Sequence, residues 1–417
     1  MKKSVLEGLD SSVVKADFPL LRREVNGKQI VYLDSAATSQ KPQVVLDVLN
    51  SYYEEINANV HRGAYKIAEQ ATLAMEEARG NVRQFIGASS DREVIFTKNA
   101  TEAINLVAYA WGRKNLNKGD VVLITSLEHH ANIVPWHQLV EERGIELRWI
   151  PLTIDGCLDL DNLDELLDGV KLVSIAAVSN VLGTINPVRK IADAAHAVGA
   201  LCLVDACQAV PHLPTDVTEL GCDFLAFSGH KMCGPTGVGV LWGRSEILEE
   251  MPPFLGGGEM ILNVTKEGFT TNDLPWKFEA GTPPIAEIIG LGAAVIYLTE
   301  LGMKNVQAHG EELTQYMFET LSERFGDDLL IYGPQDATSR TGVFSMSYRD
   351  IHPHDLSQIL DQQGICVRAG HHCAKPLMKL LDVNATIRAS TYLYNDKADI
   401  DALVVGLQSA RTFFEER

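Results

Sequence analysis

Paired cysteines are missing. The seven cysteines are scattered, odd in number, and none forms a C-x-x-C pair, which excludes a disulfide framework and a zinc ribbon. Positive charge is scarce as well. With 36 basic residues against 55 acidic ones, the net charge is -19. Such a surface repels phosphate backbones and anionic lipid, so binding to nucleic acid or membrane is not expected. No apolar run reaches the roughly 20 residues that a bilayer requires. The longest, Leu172–Leu182 and Ile288–Leu298, read as buried strand and helix. Lys2 and Lys3 are followed by no apolar stretch. That excludes an ordinary secretory signal and leads to the expectation of a soluble, cytoplasmic protein. The nucleotide fingerprints are absent too: there is no G-x-x-x-x-G-K-[ST], and no G-x-G-x-x-G after a strand.

What is present suits a large globular enzyme. Apolar residues make up 46% and charged residues 22% of 417, enough for a sizeable core. Between about 90 and 245, apolar runs alternate with helical patterns, the mark of a mostly parallel sheet in an α/β fold. The expected strands are Glu93–Thr97, Val121–Thr125, Leu147–Pro151, Leu172–Ala177, Ala200–Asp205, Phe224–Ser228 and Gly239–Trp242. They lack strict alternation, as strands covered on both faces do. Helices are expected at Thr101–Leu116, Trp136–Arg143, Asp161–Leu167 and Val188–His196. Further on, Pro283–Leu301, Val306–Phe325, Pro353–Gln363 and Lys397–Glu416 read as helices, and Gly342–Tyr348 and Ile365–Arg368 as strands. This divides the chain into a large unit, 30–300, and a smaller one made of 1–29 and 301–417.

Five short segments carry chemistry. Cys202-Leu203-Val204-Asp205-Ala206-Cys207-Gln208 and Phe227-Ser228-Gly229-His230-Lys231 each lie just past a buried strand, where parallel α/β sheets bind ligands. A carboxylate and a lysine held there suit pyridoxal phosphate: the lysine bonds the aldehyde and the acid keeps the pyridine nitrogen protonated. The plain alternative is an Asp–Lys ion pair at the sheet edge. Asn99-Ala100-Thr101-Glu102 opens a helix and offers a phosphate its free N–H groups, although ordinary caps look the same. Glu128-His129-His130 could place an imidazole over a cofactor ring. Adjacent residues on an extended segment point opposite ways, so they rarely chelate one metal. In Arg368-Ala369-Gly370-His371-His372-Cys373-Ala374-Lys375-Pro376, imidazoles and cations surround a loop cysteine and favour its thiolate. Arg388, in Thr386-Ile387-Arg388-Ala389-Ser390, suits bidentate recognition of an amino-acid carboxylate.

These segments, in this order, resemble the class V branch of fold-type I pyridoxal-phosphate enzymes. More closely they resemble the SufS-type (group II) cysteine desulfurases. The likeness runs from Tyr32-Leu33-Asp34-Ser35-Ala36-Ala37-Thr38 to Arg388. It includes Asn59-Val60-His61-Arg62-Gly63, Ser179-Asn180-Val181-Leu182-Gly183 and Phe278-Glu279-Ala280-Gly281-Thr282-Pro283. The R-x-G-H-H-C-A loop is its most specific part. Two departures are Lys375, where Gln or Met is common, and Cys233, where an aromatic is common.

The resemblance implies a seven-stranded large domain and a homodimer that turns L-cysteine into L-alanine and leaves the sulfur on Cys373. It implies that Lys231 carries the cofactor and moves the Cα proton, and that Asp205 pairs with the pyridine nitrogen. Gln208 would contact the ring hydroxyl and His129 would stack on the ring. Ala100, Thr101, Ser228 and His230 would surround the phosphate, with Thr282 reaching the partner subunit's cofactor. Asn180 and Arg388 would hold the substrate carboxylate. His352-Pro353-His354-Asp355 resembles the segment of desulfurases that serve a zinc-containing SufU-type acceptor, with His354 in the place that binds the acceptor's zinc; a SufE-like acceptor is the other partner expected. No metal is expected in the chain itself. Iron–sulfur assembly is the pathway implied, and selenocysteine lyase is the alternative activity.

Overall fold

The computed structural model describes residues 8–415. Met1–Glu7, on which the reading of the N-terminus rests, and Glu416, the expected end of the last helix, lie outside the described residues. Seven strands form the main sheet: Val94–Thr97 (β1), Val121–Thr125 (β2), Glu146–Ile150 (β3), Val170–Ala176 (β4), Leu201–Asp205 (β5), Phe224–Ser228 (β6) and Gly239–Gly243 (β7). Their spatial order is β1-β7-β6-β5-β4-β2-β3. Every pair is parallel except those of β7, which runs antiparallel to both β1 and β6. β1, β2, β6 and β7 are buried throughout. Successive side chains enter opposite cores. Leu123, Ile175 and Val204 join one, whereas Ile124, Leu203 and Ala226 join the other. Both faces are therefore covered, which is why these strands read as continuous apolar runs.

A second sheet follows, built from Leu329–Ile331 (β8), Val343–Tyr348 (β9), Arg368–Gly370 (β10) and Thr386–Ser390 (β11), in the order β8-β9-β11-β10 and wholly antiparallel. Met317, Phe344, Leu360 and Leu403 belong to its own core, which also takes in Leu33. Helices Met303–Phe325, Pro353–Asp361 and Lys397–Glu415 supply part of that core.

Three expectations need correction. The strand expected at 365–368 is two strands: Ile365–Cys366 pairs in parallel with Val31–Tyr32, and β10 pairs with β11. The chain changes partner at Val367, so no single strand spans the run. The helix expected at 161–167 is one turn, Leu163–Leu166, because the Asp159 carboxylate accepts the Asp161 N–H and holds a turn there. The helix expected at 101–116 starts one residue earlier and contains a π-helical stretch, Val107–Gly112. The ends of β2, β5 and β6 open toward the loop that follows β10, and the cavity described next lies between them.

Candidate active site

A cavity of about 280 Å³ is lined by eleven of the thirteen residues singled out in the sequence: Ala100, Thr101, His129, Asn180, Asp205, Gln208, Ser228, His230, Lys231, Cys373 and Arg388. Thr282 and His354 are not among them. Thr282 is exposed and lines a separate recess with Phe96 and Phe254. His354 is exposed at the start of Pro353–Asp361, its ring stacked on His352 with centroids 5.5 Å apart.

The inner wall is set by the sheet. Asp205 ends β5, is buried, and accepts the Cys207 N–H at 3.0 Å. Lys231 closes the short turn Gly229–Lys231 directly after β6. Ser228, the last residue of β6, accepts the Ala100 N–H through its hydroxyl at 2.9 Å. This couples β6 to the helix that begins at Ala100. That helix is capped by Asn99, whose side chain accepts the Glu102 N–H at 3.0 Å, so Thr101 is not consumed as the cap. Gln208 is buried and donates to the Ala36 carbonyl at 2.8 Å.

Two imidazoles on this wall are neutral at ordinary pH. His129 is pushed down to about 4, first by burial and then by the nearby Lys231 cation. Its Nδ1 accepts the Ala131 N–H at 3.1 Å, so the proton sits on Nε2. His230 is pushed down to about 4 by burial, with Lys231 and Lys41 adding to it. Beneath them Glu128 is fully buried and accepts from Thr125, Asn132 and the Ala176 N–H, at 2.6, 2.7 and 2.9 Å. Burial raises its carboxyl to about 7, although the three donors pull the other way.

The outer wall is the loop after β10. Cys373 is exposed there. His372 and Cys373 both have left-handed backbones, with φ of 50° and 56°, a conformation that costs a non-glycine residue about 1 kcal/mol. His130 holds the loop from one side: its N–H donates to the Cys373 carbonyl at 2.7 Å, and its Nε2 accepts the Lys375 N–H at 3.0 Å. Asn180 donates to the His372 carbonyl at 2.8 Å. The His372 ring meets the Thr386 hydroxyl at 2.9 Å and is pushed down to about 3 by burial and the Arg388 cation. Lys375, the sequence departure, bonds here through its backbone, while its exposed ammonium helps to hold the His130 imidazole below its ordinary value, after burial and His371.

Arg388 lies on β11, buried. It donates to the Asn180 carbonyl at 2.7 Å and faces Asp34 at 3.4 Å. Burial lowers it to about 10, which leaves it cationic. Three buried polar atoms around the cavity have no partner: Asn180 Oδ1, His372 Nδ1 and Arg388 Nε. Unpaired buried polar atoms cost stability unless a ligand satisfies them. Arg388 Nε is a donor left for an anionic group such as a carboxylate, and Asn180 Oδ1 is an acceptor left for a donor such as an amine. Beside these atoms, an amine, a carboxylate, a neutral imidazole and a helix start with hydroxyls at Thr101 and Ser228 suit an aromatic aldehyde that carries a phosphate. Among the described residues no three His, Cys, Asp or Glu side chains gather as a metal site.

Sequence reasoning gave no role to Asp34, Ala36, Ala37 or Cys207, and saw Arg368 and His372 only as charge and imidazole around the cysteine. Asp34 binds both Arg368, at 2.9 Å, and Arg388, while the other five line the cavity. The segment Tyr32–Thr38 was noted, but no spacing signals that Asp34 meets an arginine so far along the chain.

The profile of the family described as Aminotransferase class-V matches residues 31–403. The chain is 53% identical over 412 residues to a probable cysteine desulfurase of Streptomyces coelicolor, covering 97% of this chain and 98% of that protein. It is 50% identical over 420 residues to a cysteine desulfurase of Haloferax volcanii, covering 97% and 98%. Among solved structures it resembles the cysteine desulfurase CsdA of Escherichia coli, in its S-sulfonic acid form, with a TM-score of 0.90, 37% identity and coverage of 97% and 99%. It also resembles the apo cysteine desulfurase of Thermococcus onnurineus NA1, with a TM-score of 0.89, 38% identity and coverage of 95% and 98%.

Proposed function

The chain belongs to the class-V aminotransferase family, and on that premise we propose that it is a pyridoxal-phosphate-dependent cysteine desulfurase whose sulfur-accepting thiol is Cys373. The observation that carries the reading is one cavity walled by Lys231, Asp205 and the exposed Cys373.

Lys231 would hold the cofactor aldehyde, Asp205 the pyridine nitrogen, His129 the ring face and Gln208 the ring hydroxyl. Ala100, Thr101, Ser228 and His230 would hold the phosphate. The bound cofactor supplies an electron sink for negative charge at the substrate Cα. The residues do the rest. Arg388 would fix the substrate carboxylate with its guanidinium, and Asn180 with the second N–H of its side-chain amide, the first being given to the His372 carbonyl. The Lys231 amine, once displaced by the substrate amine, takes the Cα proton. The Cys373 thiolate attacks the substrate sulfur: an S–S bond forms, the C–S bond breaks, and its electron pair stays with carbon, which leaves as alanine after protonation. The protein keeps a persulfide. A thiol that must receive sulfur inside and deliver it outside belongs on an exposed loop at the cavity mouth, where Cys373 lies.

Of the proposed large unit 30–300 and smaller unit 1–29 with 301–417, the separate core around the second sheet supports the part from 301 on, whereas Val14, Phe18 and Leu21 pack into the main core. The homodimer is supported by exposed apolar residues on the hairpin Ile261–Val264/Phe269–Thr271, Leu262, Val264 and Phe269 among them, and by Thr282 lying outside its own chain's cavity. A zinc-bearing SufU-type acceptor is supported by the exposure of His354. Among the described residues no single helix is long and apolar enough to cross a membrane.

The test is alanine release from L-cysteine with a thiol reductant present. The wild-type protein should release it and Cys373→Ala should not. A Cys373→Ala protein with full turnover would overturn the role given to that thiol.

A further inference from the structure

The residue that bears the reactive amine is held from behind by a segment to which the reading above gives no role. Gly229–Lys231 is a single turn, and a long side chain on so short an element is only as well placed as its backbone. Four donors converge on one acceptor there, the His230 carbonyl, which belongs to the peptide bond that leads into Lys231. They are the Ser39 N–H, the Thr38 hydroxyl, the Ser39 hydroxyl and the Lys41 ammonium, each 3.0 Å away. A carbonyl oxygen has two lone pairs, so this acceptor is saturated. The charged donor is the strongest of the four. The Ser39 hydroxyl also accepts the Cys233 N–H at 2.8 Å. It thereby spans the chain from 230 to 233, with Lys231 between its two contacts. Cys233 is buried and left-handed, with φ of 65°, so the backbone on the far side of Lys231 is constrained as well.

Lys41 is an unusual group to find here. Its ammonium donates to two backbone carbonyls, those of Ser39 and His230. Among the described residues no carboxylate stands within ion-pair distance of it. Burial pushes it down to about 8, with Cys233 acting in the opposite direction. Lys41 is half-buried, and withdrawing a cation even partly from water without a counter-charge costs stability. Its retention against the one carbonyl that precedes the reactive lysine gives that cost a place in the chemistry.

We propose that Ser39 and Lys41 are positioning residues: they clamp the His230 carbonyl and so hold the Lys231 amine at the cofactor's reactive carbon. The inference rests on the functional reading above. It concerns residues that do not line the cavity and that act only through the backbone of the 229–233 turn.

The experiment is a double-mutant cycle on pyridoxal phosphate binding. Protein stripped of cofactor is titrated with pyridoxal phosphate, followed by its visible absorbance, for wild type, Ser39→Ala, Lys41→Met and the double variant. Thermal melting of each stripped protein is recorded alongside. The expected result is binding weakened about tenfold by Lys41→Met and about threefold by Ser39→Ala. The double variant should be no weaker than about tenfold, because both act through one carbonyl. The stripped proteins should melt alike. Ser39→Ala removes only a hydroxyl and serves if Lys41→Met does not fold. Binding within twofold of wild type in both variants overturns the clamp, as do strictly additive effects or a loss of binding that tracks a fall in melting temperature. A wild-type protein that takes up no pyridoxal phosphate defeats the functional reading itself, and the clamp with it.

Discussion

The two walls of the cavity are built on opposite plans. The inner wall hangs on the ends of β5 and β6, where Asp205 and Ser228 are buried and fixed by strand pairing, parallel at Asp205 and antiparallel at Ser228. The outer wall is a loop that carries an exposed Cys373, holds two left-handed non-glycine residues in a row, and is tied down by His130, Asn180 and Thr386. A cofactor needs groups that do not move between turnovers, and strands buried on both faces provide them. A thiol that passes sulfur outward needs solvent and some freedom, and a strained loop with few anchors provides those. Rigidity and access cannot be maximised in one element, so they are separated.

The comparison breaks most sharply at the two reactive groups. Lys231→Ala should abolish both alanine release and the visible absorbance of bound cofactor. Cys373→Ala should keep the absorbance and lose at least about 10³-fold of the release, the scale of a lost nucleophile. Equal spectra in the two variants would erase the division of labour. Arg388→Gln comes next. Removing a buried, charge-assisted partner of the substrate carboxylate should lower kcat/KM by about 10²-fold, mostly through KM. Steady-state kinetics with L-cysteine decides this, and an unchanged KM would move the carboxylate elsewhere.

The outer wall can be loosened alone. His130→Ala removes the ring that receives the Lys375 N–H. It should speed alkylation of Cys373 by iodoacetamide about threefold to tenfold while the cofactor absorbance stays as in wild type, on the scale of one lost hydrogen bond. If the spectrum changes and alkylation does not, the anchor serves the inner wall.

Acid should act on both walls. His129 and His230 are held near 4 and His372 near 3, all by burial. The ordinary value is about 6.5, so below it the unfolded chain binds protons that the folded chain refuses, and stability falls with pH. The stabilisation is complete above about 6.5 and is lost progressively as pH falls toward about 4. Denaturant unfolding at pH 7.5 and pH 5 should differ by about 1–2 kcal/mol per imidazole of this kind. His372→Asn should reduce the difference, and a pH-independent unfolding curve would show that these rings titrate in the fold as they do in the unfolded chain.

The seven strands, their buried character and the helices between them were legible in the sequence, because a parallel sheet covered on both faces leaves long apolar runs. So were Asp205, Ser228, Lys231 and Cys373, each in a short segment whose turn chemistry is local. The break at Val367 was not legible, since Val367 is itself a strand former and only the neighbouring strands decide where pairing switches from Val31–Tyr32 to β11.

By itself, then, the sequence determined which reactive groups this protein owns and which strand ends they follow, because periodicity, caps and turns act over a few residues. Only the tertiary structure decided how distant segments meet. It brought Asp34 to Arg388 across 354 positions, His130 to the cysteine loop across 245, and Lys41 to the carbonyl before Lys231 across 189. Such contacts follow from how distant segments pack, within one unit for Lys41 and between the two sheets' units for the others, and no pattern within a short stretch of chain records that.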